Sequence, residues 1–315
     1  MLRRNHLAAR AAAAILALAG SAFAQDITFT SDMSYPESVT YSAKQGVFLL
    51  GSVTKGLVAK VDKEGTYTPF ITDVRLVSTV GLLVDDHSNT LWVTSSDPGA
   101  GVKTSATTQG RLAAVATYDA TTGARKAYYD LGGLSGGAHF ANDIALDADG
   151  NAYVTDSFAP VIYKIDAKGK ASIFAENPIF LSGKGFNLNG IAWHEDGYLL
   201  VGKYNSGELF RVSTKNPTDI RTVKLPEPLV GADGIHLIDG EHLLVVQNAG
   251  ADRTVELTSN DGWMSASIVR TEPAKLSMPT AATTAGDAIY ILNARLDTLL
   301  DPKADKVGSY LLQQF

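Results

Sequence analysis

Six times along the chain the same short apolar strand returns: VFLLGSV, TLWVTSS, NAYVTDS, YLLVGKY, HLLVVQN and AIYILNA. Superposing these segments sets Leu49, Trp92, Tyr153, Leu200, Leu244 and Tyr290 at one equivalent position, at intervals of 43, 61, 47, 44 and 46 residues. A recurring period of this size marks a repeat architecture, in which each unit buries its apolar face against the next. Each unit holds more than this strand. Upstream lies another apolar stretch joined through an Asp/Gly/Asn turn, as in IALDADGNAYV, IAWHEDGYLLV and IHLIDGEHLLV, which is a hairpin signature. Downstream come a strand of alternating residues (GLVAKVDKEG, RLAAVATYD, VIYKIDAKGK, ELFRVS) and a fourth, more polar stretch (TYTPFIT, ASIFAEN). Four short strands in about 45 residues describe a propeller blade. Six units predict an all-β fold, a six-bladed β-propeller with four-stranded blades around a central channel. The early DITFT or the terminal SYLLQQF completes the last blade. The one long interval contains DPGAGVKTSATTQGR, read as a loop insertion, and from Asp97 to Gly110 it is a candidate lid. A β-sandwich or a pair of all-β domains competes with this reading. The single period and the lack of a Pro/Ser-rich linker favour one domain over residues 25–315.

Ahead of the repeats stands MLRRNHLAARAAAAILALAGSAFAQD. Its basic start, its short Ala/Leu/Ile run and the A-x-A form of Ala22-Phe23-Ala24 read as a secretory signal peptide over residues 1–24, too short for a membrane span. Arg3-Arg4 leaves a twin-arginine route open. The expected location is periplasmic or secreted. Cleavage removes three arginines from a chain whose formal charge is already −6. An acidic chain without a basic cluster argues against nucleic acid and anionic membranes. No later apolar run is long enough for membrane insertion. The chain has no cysteine, which excludes disulfides, zinc-thiolate sites and cysteine nucleophiles. Export without cysteine suits a bacterial periplasm, where a large core stabilises the fold without crosslinks.

In a propeller the innermost strand of every blade lines the channel, so equivalent positions on those strands form a ring. Asn142 lies 11 residues before Tyr153, Asn189 lies 11 before Leu200 and Asp233 lies 11 before Leu244. Glu37 lies 12 before Leu49, with one extra turn residue. The remaining blades offer the uncharged Val80-Gly81 and Pro279-Thr280. Glu37, Asn142, Asn189 and Asp233 thus make an oxygen-rich set without histidine or sulfur. Such a set suits a hard divalent cation, calcium above magnesium. Asn and Asp before Gly are also ordinary turn formers, but four residues in one register are hard to assign to turns alone.

The segments PESVTY, ANDIALDADGNAYVTDS, LNGIAW and ADGIHL resemble the senescence-marker/gluconolactonase (regucalcin-like) family, and more distantly the paraoxonases and the squid-type diisopropylfluorophosphatase. The resemblance spans roughly residues 30 to 300. It implies a six-bladed propeller with one divalent metal in the channel, held by Glu37, Asn142, Asn189 and Asp233. It also implies hydrolysis of a small-molecule lactone or related ester, with calcium, zinc or manganese as the metal. One position departs from the sugar lactonases, which often carry an arginine two residues before the asparagine matched to Asn142. Here that residue is Phe140. His139, Phe140, Phe158, Phe186, Trp193 and Tyr204 are the candidate aromatic rim, with Phe140, Phe158, Trp193 and Tyr204 as substrate-binding residues, and they lean towards a less polar lactone or ester.

On this reading Asp233 is both ligand and general base, His139 and His236 are alternative bases, and the metal stabilises the oxyanion. Three other signals are set aside. Gly133-Leu134-Ser135-Gly136-Gly137 matches G-x-S-x-G but precedes a strand instead of a helix. Asp147–Asn151 lacks the closing glutamate of a calcium loop, and His194-Glu195 has no second histidine at zinc spacing. The competing function is a non-catalytic propeller that binds or scaffolds, or a metal-independent strictosidine-synthase-like protein.

Overall fold

A computed structural model describes residues 25–183 and 185–315; the expected signal peptide, residues 1–24, lies outside the described residues. The chain forms six four-stranded antiparallel sheets. Their innermost strands are Val39–Ser42, Ser78–Asp85, Ala141–Leu146, Leu188–His194, Ala232–Leu237 and Pro279–Ala285. Each of these packs against the next, and the last packs against the first. The ring is therefore closed, and the six-bladed propeller expected from the repeats is the fold.

Composition follows position within a blade. The second strands, such as Ala152–Asp156 and Tyr198–Lys203, are buried along their whole length. Neighbouring blades cover both faces of these strands, so apolar residues stand on both faces. Outer strands such as Arg125–Asp130 are half-buried or exposed and carry charge. The hairpin turns form as the sequence indicates. In Asp147–Asn151 the Asp147 carboxylate accepts from the backbone N–H of Asp149 and Asn151, and Gly150 takes the positive φ of 80° that the turn needs.

The last blade uses both candidate closing strands. Ser309–Gln314 pairs with Ala288–Asn293 on one side and with Ile27–Thr30 on the other. Either alone would leave a three-stranded blade. Phe29, 1% exposed, holds this junction, its ring 5.6 Å from Tyr310 and 6.3 Å from Tyr67. Phe29→Ala is expected to lower unfolding free energy by about 3–5 kcal/mol, as read by urea denaturation, because it empties the seam that joins the two ends of the ring.

Candidate metal centre in the channel

The inner strands do not run straight along the channel. In five of them the pairing to the second strand slips at one level, between Thr79 and Leu82, Ala141 and Ile144, Leu188 and Ile191, Ala232 and Ile235, and Pro279 and Ala281. A bulge re-aims side chains locally. Here it splits neighbours: Asn142, Asn189 and Asp233, with Val80, line a cavity of about 100 Å3 at the start of the inner strands. Asp143 and Gly234 line a wider cavity of about 710 Å3 towards their ends. Between the two levels the strands nearly touch. A Cβ on Gly81 would lie 2.3 Å from the Asn142 carbonyl oxygen, and one on Gly234 would lie 2.5 Å from the Thr280 carbonyl oxygen. Glycine is required there by the approach of backbone to backbone. The polar pair Asn142-Asp143 is thus a bulge whose two side chains serve the two cavities.

Glu37, just ahead of the first inner strand, joins the small cavity. All four residues of the expected ring therefore meet in one place. Among the described residues the Glu37 carboxylate has no hydrogen-bond partner. Burial, then the charges of Asp233 and Asp143, push it well above the usual carboxylate range. Burial raises Asp233 to about 7, against hydrogen bonds from the side chains of Asn189 and Asn248. Asn142 donates its amide to the Ser157 hydroxyl at 3.0 Å, and Ser157 donates to the Leu188 carbonyl at 2.6 Å. That leaves the amide oxygen of Asn142 for the cavity. Among the described residues no three His, Cys, Asp or Glu side chains converge on a metal-sized cluster. The centre is two carboxylates completed by carboxamides, and among the described residues no Lys, Arg or His lines it. A buried and a half-buried carboxylate facing each other without a counter-charge are costly. The all-oxygen donor set that relieves this cost fits a hard cation.

Asn248 is a residue the sequence reading missed. Its Nδ2 donates to Asp233, and its Oδ1 accepts from the Tyr204 hydroxyl at 2.6 Å. The signal was in the repeats. Asn248 follows Asp233 by 15 residues, as Ser157 follows Asn142 and Tyr204 follows Asn189. These residues directly follow the second strand of their blades and form a second ring behind the first.

The expected aromatic rim is part present. Phe140 and Tyr204 line the cavity. The Phe140 ring packs against Phe158 at 5.3 Å and Phe186 at 5.1 Å, and Phe186 continues to Tyr204 at 6.2 Å. Trp193 is a correction. It lies past the bulge in Leu188–His194 and lines the wider cavity at the other end of the channel.

His139 is a second correction. It is buried, its Nδ1 lies 2.9 Å from Asp156 Oδ2, and its Nε2 bonds the Ser135 carbonyl at 3.2 Å. With both ring nitrogens engaged and no place on the cavity lining, it does not act as a base there. Its partner Asp156, also missed, accepts with Oδ1 from the backbone N–H of Phe140, Phe158 and Ala159. The pair anchors the aromatic wall. His236 lines the wider cavity, bonds Thr284 Oγ1 at 2.7 Å and is held by burial at about 4, hence neutral. Ser135 follows a short 3-10 turn, Gly132–Leu134, not a strand. The insertion is compact: Asp97 accepts from the Gly99 N–H and from the Thr104 and Thr108 hydroxyls, and it presents Pro98 and Ala100 to the cavity.

Fold and cavity together define a six-bladed propeller with an oxygen-lined pocket at one end of its channel. No protein-family model and no curated protein matches the chain. Solved structures do match. The Malassezia sympodialis allergen Mala s 1 superposes with a TM-score of 0.71 at 18% identity, over 92% of this chain and 95% of the allergen. A gluconolactonase from Xanthomonas campestris gives 0.63 at 15% identity, over 91% and 89%. Virginiamycin B lyase from Staphylococcus aureus gives 0.59 at 16% identity, over 91% and 97%. At these identities the shared property is the fold.

Asp233 gives a pH test. Its folded-state pKa, raised from 3.8 to about 7, exceeds the unfolded one, so the folded state holds a proton that the unfolded state releases. Stability of chelator-treated protein should therefore fall as pH rises from about 4 to about 7. Asp233→Asn should flatten that fall and melt higher than the parent at pH 8, as measured by calorimetric Tm across pH.

Proposed function

We propose that the protein is an exported, divalent-metal-dependent hydrolase of lactones or related esters. The observation that carries this reading is the pair Glu37 and Asp233, brought together with carboxamides and, among the described residues, no cationic side chain in one pocket. Glu37, Asn142, Asn189 and Asp233 would hold the cation. Calcium suits their mixed carboxylate and amide oxygens, with zinc and manganese as alternatives. When bound, the metal supplies Lewis acidity towards a carbonyl oxygen. Asp233 takes the proton from the attacking water. Asn248, itself fixed by the Tyr204 hydroxyl, orients the Asp233 carboxylate. Phe140, Phe158 and Phe186 shield the reacting group from bulk water, which strengthens every polar contact at the floor. The gluconolactonase among the structural neighbours supports the reaction class. A propeller that only binds is the contrasting outcome.

The test is a calorimetric calcium titration of chelator-treated protein beside Asp233→Ala and Glu37→Gln. One site is expected in the parent and none in either variant. Lactone hydrolysis should vanish with chelator, return with calcium, and fall by at least roughly 10²–10⁴-fold in Asp233→Ala, which loses the base and the cation together. Parent protein that binds no divalent cation, or variants that bind as well as the parent, would overturn the metal centre and leave a binding propeller.

A further inference from the structure

Above its polar floor the pocket changes character. The last blade interrupts its strand repeat with a short helix, Leu296–Leu300, and Leu296, Leu299 and Leu300 all reach the cavity lining. Their spacing puts them on one helical face. The opposite side, Thr298, is buried and bonds the Tyr35 hydroxyl at 3.1 Å. Two further ties fix the helix. Ser277 donates to Asp297 at 2.8 Å, and Lys306 donates to the carbonyls of Thr298, Leu299 and Asp301 at 2.8, 3.1 and 2.9 Å. The leucines are therefore presented by an anchored element. Leu300 is 62% exposed, a large apolar side chain at the lip of a pocket, where burial against a ligand is the available gain. Met278, Pro98 and Ala100 continue the same apolar surface.

Resting on the hydrolase reading, we propose that the substrate is a neutral lactone or ester bearing an apolar arm, with Leu296, Leu299 and Leu300 as the residues that select the arm. Three observations lead there. Among the described residues no Lys, Arg or His lines the pocket, so a carboxylate- or phosphate-bearing substrate finds no cationic side chain there. A polyhydroxylated lactone needs hydrogen-bonding groups along the wall, and the Tyr204 hydroxyl there already donates to Asn248. Few of its hydroxyls would find a partner above the floor. Finally, Leu296, Leu299 and Leu300 line the same cavity as the polar floor, so an arm on a ring bound at the floor lies across them.

The experiment is a series of γ-alkyl-γ-butyrolactones of increasing arm length, beside D-glucono-δ-lactone, assayed with calcium-loaded protein. kcat/KM should rise about fourfold per covered methylene, through KM, and gluconolactone should be the poorest substrate. Leu300→Ser and Leu299→Ser should flatten the slope, while Val269→Ser, exposed on an outer strand, should leave it alone. In parallel, calorimetry of the matching γ-alkyl lactams on metal-free protein reads the arm without turnover. Lactam affinity that climbs with arm length, but no lactone hydrolysed, would sustain the arm site and sink the hydrolase reading. Hydrolysis with a flat slope, or with gluconolactone preferred, would sustain the hydrolase and overturn the arm.

Discussion

The approach of the inner strands to one another governs the rest of this molecule. Six strands can close around an axis this tightly only if backbone meets backbone at one level, and Gly81, Gly190 and Gly234 supply the missing side chains there. The bulges that accommodate this waist turn one residue of each pair towards the small cavity and its neighbour away from it. The polar floor follows from this geometry: whatever stands at Asn142, Asn189 and Asp233 is carried to the axis, at a depth where water does not screen it. Glu37 and Asp233 then face each other in surroundings that disfavour their charged forms.

Around this floor the molecule spends its polar residues on fixing positions. Asp156 ties down the backbone of Phe140 and Phe158 and holds His139. Ser157 sets the amide of Asn142, and Asn248 with Tyr204 sets Asp233. Asp97 folds the insertion against the lip. Supporting groups of this kind preorganise a site, so that little reorganisation remains when a charge enters. The neighbours of known structure include an allergen, a gluconolactonase and a lyase, so the fold alone does not fix the chemistry. The identity of the floor and lip residues is therefore what separates one such propeller from another.

Much of this was legible before any coordinates. The period of the strand repeat sets blade number, because each strand must be apolar on both faces to sit between neighbouring blades. The offset of 11 residues picks out three floor residues, since equivalent positions on inner strands are brought together by the ring's symmetry. The same logic at the following offset would have found Asn248. Side-chain direction was not legible. Trp193 and Asp143 sit within a few residues of floor positions yet line the other cavity, because a bulge, not strand alternation, sets where each points. His139 looked like a base because histidine titrates near neutrality, but its neighbours occupy both nitrogens.

The sequence by itself determined the repeating strand unit, its count, and the oxygen-only character of the channel set, since these depend on local pattern and residue type. Only the tertiary structure decided which end of the channel each polar residue faces, how both chain ends complete one blade, and that the leucines of Leu296–Leu300 lie over the pocket. Those outcomes depend on pairing register and on contacts between segments far apart in the chain, such as Tyr35 with Thr298, which no local pattern encodes.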